Sequence, residues 1–444
     1  MREKVFLVLI AALLPALALP VYGPRAMALG GAYVALADDE ASIYYNPAGM
    51  AAAGDYFACV PCFAIATDDR ITEDFDTYIA LKDDIWHADT GGGLGPLLDS
   101  IDRTADFLED LAGGDPPGVT GYLSYGVGVM LGPLAVSWIG GGTGQVVLEP
   151  DADTGRLIPD FYLESYEAVA LLYLAGYLDS EQLATLWPTY PDPSGFVGDV
   201  EGDGLGITEN RTGARLENEA RQEFIVTYAN YLWRSGRGDR FFVSAGLNIK
   251  YVVTQSYQNR FTAGDSGMYT TGPEWITRQV LATRPTLGHA VSADVGLLGQ
   301  FTPYFRLGLL VRDVIPAPIS WDEPVTGVSD RLKPQWRIGV AGQVVPDLLT
   351  YALDVDLTRD EGSFSPQQDL AVGVRADFLD GALWGGAGLR FNLADETQPP
   401  LYTLGVGMHL AGVRLDLAVG LGRIDTSGEA NTYFSAAGAV GFSL

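Results

Sequence analysis

The sequence predicts an all-β fold: a 14-stranded antiparallel transmembrane β-barrel with an N-terminal hatch inside its lumen and helical extracellular loops. Three features predict it, namely apolar stripes with a period of two, strands that are long for a globular protein, and connections that alternate between short and long. In lipid, only helices and closed barrels satisfy every backbone hydrogen bond. No apolar run after the N-terminus reaches the ~20 residues of a membrane helix.

The period of two is clear at 413–421, where the odd positions are Val or Leu and the even positions are Arg, Asp, Ala and Gly. Segment 241–253 repeats the pattern. These stripes of nine to thirteen residues exceed the usual globular strand. About ten residues let a tilted strand cross ~25 Å of hydrocarbon. The second face, rich in Gly with sparse Arg and Asp, is typical of a lumen packed by a plug.

Fourteen segments carry this signal, at 55–67, 119–131, 134–148, 222–234, 240–255, 289–302, 303–314, 333–346, 347–359, 368–379, 382–393, 400–411, 412–423 and 431–443. Every second connection is short. The others are longer, at 68–118, 149–221, 256–288, 315–332, 360–367, 394–399 and 424–430. Short turns at one rim and long loops at the other are typical of an outer-membrane barrel.

The N-terminus predicts export. Arg2 and Lys4 precede an apolar run at 5–14 and the small-residue site 16–18, which is the pattern of a signal peptide at 1–18 cleaved near Ala18. The mature chain is therefore expected to be a hatch at 19–54 and a barrel at 55–444, in the bacterial outer membrane. The apolar chain end at 441–444 is expected to be recognised by the barrel-assembly machinery.

The composition excludes several functions. The net charge of −29 argues against nucleic acid, which requires a basic face. Three His residues and no evident Ser/His/Asp set predict no enzyme and no cofactor. Cys59 and Cys62 are spaced like a redox pair, but on a predicted strand they face opposite sides. A strained local disulfide or two buried thiols is the expected state.

The first two long loops hold 29 of the 56 acidic residues. Within them, 161–177 predicts an unusually apolar helix. It either packs on the neighbouring loop or forms a landing groove for a lipid-like ligand, with Tyr162, Tyr166, Val169, Tyr173 and Tyr177 as the candidate contacts. A weak calcium-loop pattern places oxygen ligands at Asp199, Glu201 and Asp203, with a plain acidic turn as the alternative.

The predicted third strand contains Gly140, Gly141, Gly142 and Gly144. Glycine weakens strand pairing, so a local break in the wall is expected, serving either as a side opening or as room for the plug. On the inward face, charged residues are expected to pair with each other or with the hatch, and one could meet a ligand carboxylate. The candidates are Lys250, Arg306, Arg337, Arg390 and Arg414.

Segment 19–54 precedes the first strand and is rich in small residues, which let a backbone approach a crowded wall. Its motif consists of Arg25-Ala26-Met27, Gly30-Gly31-Ala32, Ala37-Asp38-Asp39 and Tyr45-Asn46-Pro47-Ala48-Gly49-Met50. This motif resembles the N-terminal hatch of the FadL superfamily of outer-membrane barrels. The residues that carry the hatch motif are Gly30, Gly31, Asp38, Asp39, Asn46, Pro47 and Gly49.

The resemblance implies a 14-stranded barrel for passive uptake of hydrophobic compounds, long-chain fatty acids or hydrocarbons, with lateral exit at strand three. The expected partners are outer-membrane lipid and a hydrophobic small molecule. The run 26–32 is closer to the PorV-type branch, which serves protein secretion and surface attachment. A secreted-protein partner is the alternative that this sequence leaves open.

Overall fold

The computed structural model of the chain describes residues 23–53, 56–65, 118–149, 213–235, 241–262, 284–302, 304–324, 329–360, 366–395, 400–426 and 429–443. The predicted signal peptide 1–18, the apolar helix 161–177 and the acidic turn at 199–203 lie outside these residues. So do the side chains of Cys59 and Cys62, although both residues belong to a strand.

The elements begin with α1 (Pro24–Ala28), α2 (Ser42–Tyr45) and a 3-10 turn (Pro47–Ala51). The strands are β1 (Tyr56–Ile65), β2 (Gly118–Leu131), β3 (Leu134–Glu149), β4 (Gly213–Ser235), β5 (Phe241–Thr262), β6 (Thr286–Thr302), β7 (Phe305–Arg312), β8 (Ser320–Trp321), β9 (Gln335–Val345), β10 (Leu349–Asp356), β11 (Asp369–Phe378), β12 (Leu383–Asn392), β13 (Leu401–Leu410), β14 (Val413–Thr426) and β15 (Glu429–Ser443). No helix among the described residues is long and apolar enough to cross a membrane.

Fourteen strands close into one antiparallel ring. Each pairs with its neighbours in chain order, β1 also pairs with β15, and β5 pairs with both β4 and β6. The two-residue strand β8 adds a bridge to the end of β6. The predicted barrel of fourteen antiparallel strands is confirmed. Closure gives each of the fourteen strands of the ring a paired neighbour on both sides, as lipid requires.

The alternation decides which face meets lipid. In β14, Leu415 and Leu417 are 44% and 63% exposed, whereas Arg414 and Asp416 are 8% and 1% exposed. The same contrast holds along β5, where Ile249 is exposed and Lys250 is buried. Apolar side chains on the outer face are unfavourable in water and favourable in hydrocarbon, so this face fits the interior of a bilayer.

Among the short connections that the structure describes, the one between β13 and β14 is a tight two-residue hairpin. Between β13 and β14, Ala411 and Gly412 have φ angles of 51° and 81°. Positive φ at both central residues is the type I′ turn, whose twist matches that of paired strands. The rim that carries these connections is called the short-turn rim below, and the opposite one the long-loop rim.

Three predicted boundaries were wrong. β4 begins at Gly213 and β5 ends at Thr262, so both run well past the predicted 222 and 255. The predicted connection 424–430 is largely strand, because β14 and β15 pair as far as Thr426 and Glu429. In β4 and β5, polar residues such as Asn218 and Asn259 interrupt the apolar face that Leu216 and Tyr257 continue, which weakens the apolar stripe but leaves the backbone ladder intact.

The expected break in strand three is absent. β3 pairs with β2 from Leu134 to Val147 and with β4 along its whole length, without a register shift. A Cβ on Gly140 would lie 2.4 Å from the Tyr125 ring, and one on Gly142 would lie 2.6 Å from the Ala220 Cβ. The glycines therefore make room for neighbours on β2 and β4, and a side chain that covers a strand glycine supports the ladder there.

Candidate functional site in the barrel lumen

Residues 23–53, called the N-terminal segment, lie inside the ring. Its large side chains Tyr33, Tyr45 and Met50 are at most 1% exposed. The segment folds as short turns because its residues are small. Pro24 starts α1 with its fixed φ, and the Asn46 side chain caps the 3-10 turn by accepting from the Ala48 N–H.

Seven inward-facing glycines, each on a different strand, form a belt against which this segment packs, called the glycine belt below. A Cβ on any of them would come within 3.0 Å of the N-terminal segment; they are Gly246, Gly296, Gly308, Gly339, Gly373, Gly388 and Gly405. For Gly388, the atoms in the way are the backbone of Leu29 and Gly30, at 2.3 Å. Backbone cannot move aside as a flexible side chain can, so the belt fixes how deeply the segment sits.

Polar side chains of the wall complete the backbone hydrogen bonds of the segment. Asp354 accepts from the N–H groups of Tyr33 and Val34 at 2.7 and 2.8 Å. Thr403 Oγ1 accepts from the Gly30 N–H at 3.0 Å and donates to a carbonyl of α1. Asn248 Nδ2 donates to the Ile43 carbonyl at 2.9 Å. A buried segment without regular structure needs such partners, since an unpaired buried backbone group is costly.

Asn46 connects the two halves of the segment to the wall. Its Nδ2 donates to the carbonyl of Val34 at 2.9 Å and to that of Leu297, on β6, at 3.0 Å. Its Oδ1 accepts from the Ala48 N–H at 3.1 Å. Position 49 requires glycine, because a Cβ there would lie 1.7 Å from the Ala37 carbonyl oxygen. These contacts give the hatch motif a packing role.

We expect Asn46→Ala to lower the free energy of unfolding by about 1–3 kcal/mol, because it leaves two carbonyls and one N–H buried without their partner. The midpoint of thermal unfolding, read from the gel mobility of the folded barrel, measures this. Asn230→Ala is the control, since Asn230 is on an exposed outer position. Equal midpoints for both variants would contradict the role given to Asn46.

An acidic group of the segment meets wall cations near the short-turn rim. Arg414 contacts Glu40 and pairs with Asp416 at 2.8 Å, and Arg25 pairs with Asp416 at 3.4 Å. Asp39 accepts from the Tyr33 hydroxyl at 2.7 Å. Burial and the charge of Asp39 raise the pKa of the Tyr33 phenol well above its ordinary value, so that hydroxyl remains a donor.

A second charged group, called the lysine cluster, lies farther from the short-turn rim. It consists of Lys250 with three carboxylates, those of Asp294, Asp313 and Glu223, at 2.7, 2.9 and 3.5 Å. Lys250 is fully buried. Two guanidinium groups flank the cluster: Arg221 bonds Asp313 and Glu223, and Arg312 bonds Glu223 and stacks on Tyr44 of the segment.

The other predicted lumen cations are also paired. Arg306 lies 3.5 Å from Asp38, and Arg390 lies 2.7 Å from Asp369. Arg337 contacts Asp356 and Asp369. All five predicted cations thus have an acidic partner among the described residues, and a ligand carboxylate would have to compete with a carboxylate of the protein for any of them.

The sequence did not single out several of these residues. Glu223 and Arg221 lie at or before the predicted start of their strand, and Asp313 falls outside the alternation. Thr403 and Asn248 are ordinary polar residues in the sequence. The glycine belt left a signal, because glycine recurs on the polar face of the strands, but only the structure shows which of them face the N-terminal segment.

Comparison with known proteins adds a likeness in overall structure. No protein-family model and no curated protein matches the chain. The solved toluene transporter TbuX of Ralstonia pickettii matches with a TM-score of 0.46 and 11% identity, covering 96% of this chain and 99% of its own. A FadL homologue of Pseudomonas aeruginosa matches with a TM-score of 0.42 and 10% identity, covering 96% and 97%.

The chain is similar to FadL-type barrels. The toluene transporter TodX of P. putida is a further match, with a TM-score of 0.43, 11% identity, and 96% and 98% of the two chains covered. Similarity at this level concerns the course of the chain and nothing finer.

Proposed function

We propose that this protein takes up hydrophobic compounds passively across the bacterial outer membrane. The observation that carries the proposal is the N-terminal segment fitted into the glycine belt of a lipid-facing barrel. A bore closed in this way is unsuited to a general aqueous pore. An apolar solute does not need one, because it can leave a barrel sideways into lipid. The hatch motif, with its resemblance to the FadL superfamily, supports the same function.

The pairing of the lumen charges favours uncharged ligands. Arg337, Arg390 and Arg414 are each held by carboxylates of the chain itself. Breaking a buried ion pair leaves an uncompensated charge. A hydrocarbon can bind without breaking an ion pair, so we expect hydrocarbons to be carried more readily than fatty acids. The predicted helix at 161–177 would serve as the landing surface at the cell exterior.

Uptake by whole cells tests this function. Cells that produce the protein should accumulate labelled hexadecane or toluene faster than cells carrying an empty vector, and labelled oleate with a smaller gain. Equal rates with and without the protein, for all three compounds, would refute the proposed uptake. The protein should also need no energy source, so a protonophore should leave the rates unchanged.

The strand-three exit remains a prediction that requires the β3 ladder to open during passage. The continuous pairing of β3 favours one rival, a PorV-type role in protein secretion or surface attachment, because a sealed wall offers no exit there. If uptake is absent and deletion strips secreted proteins from the cell surface, this rival replaces transport. The sequence of residues 26–32 also supports the PorV-type role.

A further inference from the structure

The wall of the barrel is interrupted at the seventh strand. Along β6, the pair Val295↔Val311 and the pair His289↔Ser320 frame an interval in which residues 290–294 face residues 312–319. Five residues thus oppose eight. The other register shifts of the described ladders skip single residues beside short turns, for example between Leu349 and Thr350.

The interruption begins with a bulge. Asp313 has a φ of 50°, and both Arg312 and Asp313 point into the lumen. The Asp313 N–H donates to the Asp294 carboxylate at 2.9 Å, away from the ladder. A bulge of this kind re-aims a side chain and locally ends strand pairing. Here the bulge places Asp313 in the lysine cluster, and strand pairing in the wall is lost at this point.

Few backbone bonds hold the interval closed. Among the described residues, one backbone–backbone hydrogen bond joins 313–319 to β6. The Val314 N–H donates to the Ala293 carbonyl at 2.8 Å. The Ser292 hydroxyl donates to the Ile315 carbonyl at 3.1 Å. Pro316 and Pro318 have no N–H to donate. An uninterrupted ladder would bond every second residue twice.

Apolar side chains line the interval on both faces. Inside, Val252, Ala290 and Leu332 form a buried cluster against which Ala317 and Ile319 pack. Outside, the exposed apolar side chains are Val291, Val314 and Ile315. The lysine cluster lies on the short-turn side of this patch. An apolar molecule that crossed here would meet these apolar side chains and the Ser292 hydroxyl, provided that residues 314–319 moved aside.

The interval also lies at a suitable depth. The eight residues of β7, at ~3.3 Å each and tilted by about 40°, place Arg312 roughly 20 Å from the short-turn rim. The hydrocarbon band of such a barrel is about 25 Å tall. Residues 290–294, which face the interval, lie eight to twelve residues from the Thr302 end of β6, which is about 20 to 30 Å from the same rim. The interval therefore begins in the leaflet on the long-loop side and extends to the edge of the hydrocarbon band. The predicted exit at strand three lacks the bulge and the interruption, because its ladder is continuous.

We propose that the interruption at 313–319 is the lateral portal through which an uncharged apolar ligand passes from the lumen into the outer leaflet. This inference rests on the proposed function and assigns its exit to the seventh strand in place of the third. Passage separates residues 314–319 from β6. The bulge at Asp313, held by Asp294 and Lys250, acts as the fixed hinge.

Two disulfides test the portal. His289→Cys with Ser320→Cys links β6 to β8 across the interruption, and Thr143→Cys with Glu219→Cys links β3 to β4. Both pairs are direct cross-strand partners, which lie at a separation that a disulfide spans. The background carries Cys59→Ser and Cys62→Ser. Whole-cell uptake of labelled hexadecane is measured with each variant oxidised and then reduced, so each protein is its own folding control.

The portal predicts that the oxidised 289–320 variant falls to the vector level and recovers on reduction, while the oxidised 143–219 variant transports like its reduced form. Loss in the 143–219 variant alone would assign the exit to strand three and overturn the inference. Loss in both or in neither would also overturn it, since the seventh strand would then not be the specific route. If the unmodified protein does not transport at all, the proposed function fails, and that result is distinct from every other.

Discussion

Gly388→Val is expected to convert the closed barrel into an ion-conducting pore. A Cβ at this position would lie 2.3 Å from backbone atoms of Leu29 and Gly30, and valine adds two further carbon atoms. Since neither the wall nor the backbone of Leu29 and Gly30 can yield, the N-terminal segment must move out of its position in the lumen. Planar-bilayer recordings of the purified variant measure the conductance, and the wild type should remain closed.

Gly385→Val is the matched control, because Gly385 belongs to the same strand and its Cβ would meet only a carbonyl at 4.0 Å. The control should stay closed. Folding of both variants is verified by the heat-dependent gel shift of the barrel. A folded Gly388→Val protein without conductance would show that the segment is not what closes the bore.

Lys250→Met should be the most destabilising single substitution of a lumen charge. It leaves the carboxylates of Asp294, Asp313 and Glu223 buried together without their common cation. Breaking a buried ion pair typically costs about 3–5 kcal/mol. The midpoint of urea unfolding in lipid vesicles, followed by tryptophan fluorescence, measures the loss.

Arg359→Met is the control for this substitution, since Arg359 is an exposed residue between β10 and β11. Its midpoint should stay near that of the wild type. If Lys250→Met unfolds at the same urea concentration as the control, the lysine cluster does not stabilise the barrel. The hinge that we assign to Asp313 would then lose its support.

The period of two predicted the ring because it reports one physical fact, that lipid and lumen demand opposite residue types. In β14 the alternation of Leu417 with Asp416 is enough to assign both faces. It fails where polar residues interrupt the apolar face, and the ends of β4 and β5 were missed for that reason. Gly213 and Thr262 pair although neither belongs to an apolar stripe.

Features that depend on distant partners could not be predicted. Gly140 was expected to break the wall, yet the Tyr125 ring on the neighbouring strand covers it. Asp313 lies inside because Asp294 and Lys250 draw it there, and a local bulge reverses its expected direction. The two prolines that follow are visible in the sequence, but their place beside β6 is fixed by register.

The most direct measurement is double-label uptake into outer-membrane vesicles, with labelled hexadecane and labelled sucrose offered together. Vesicles that contain the wild-type protein should take up hexadecane faster than vesicles without it, while sucrose enters both equally slowly. Rapid sucrose entry without a gain for hexadecane would contradict a barrel that is closed to water and open to apolar compounds.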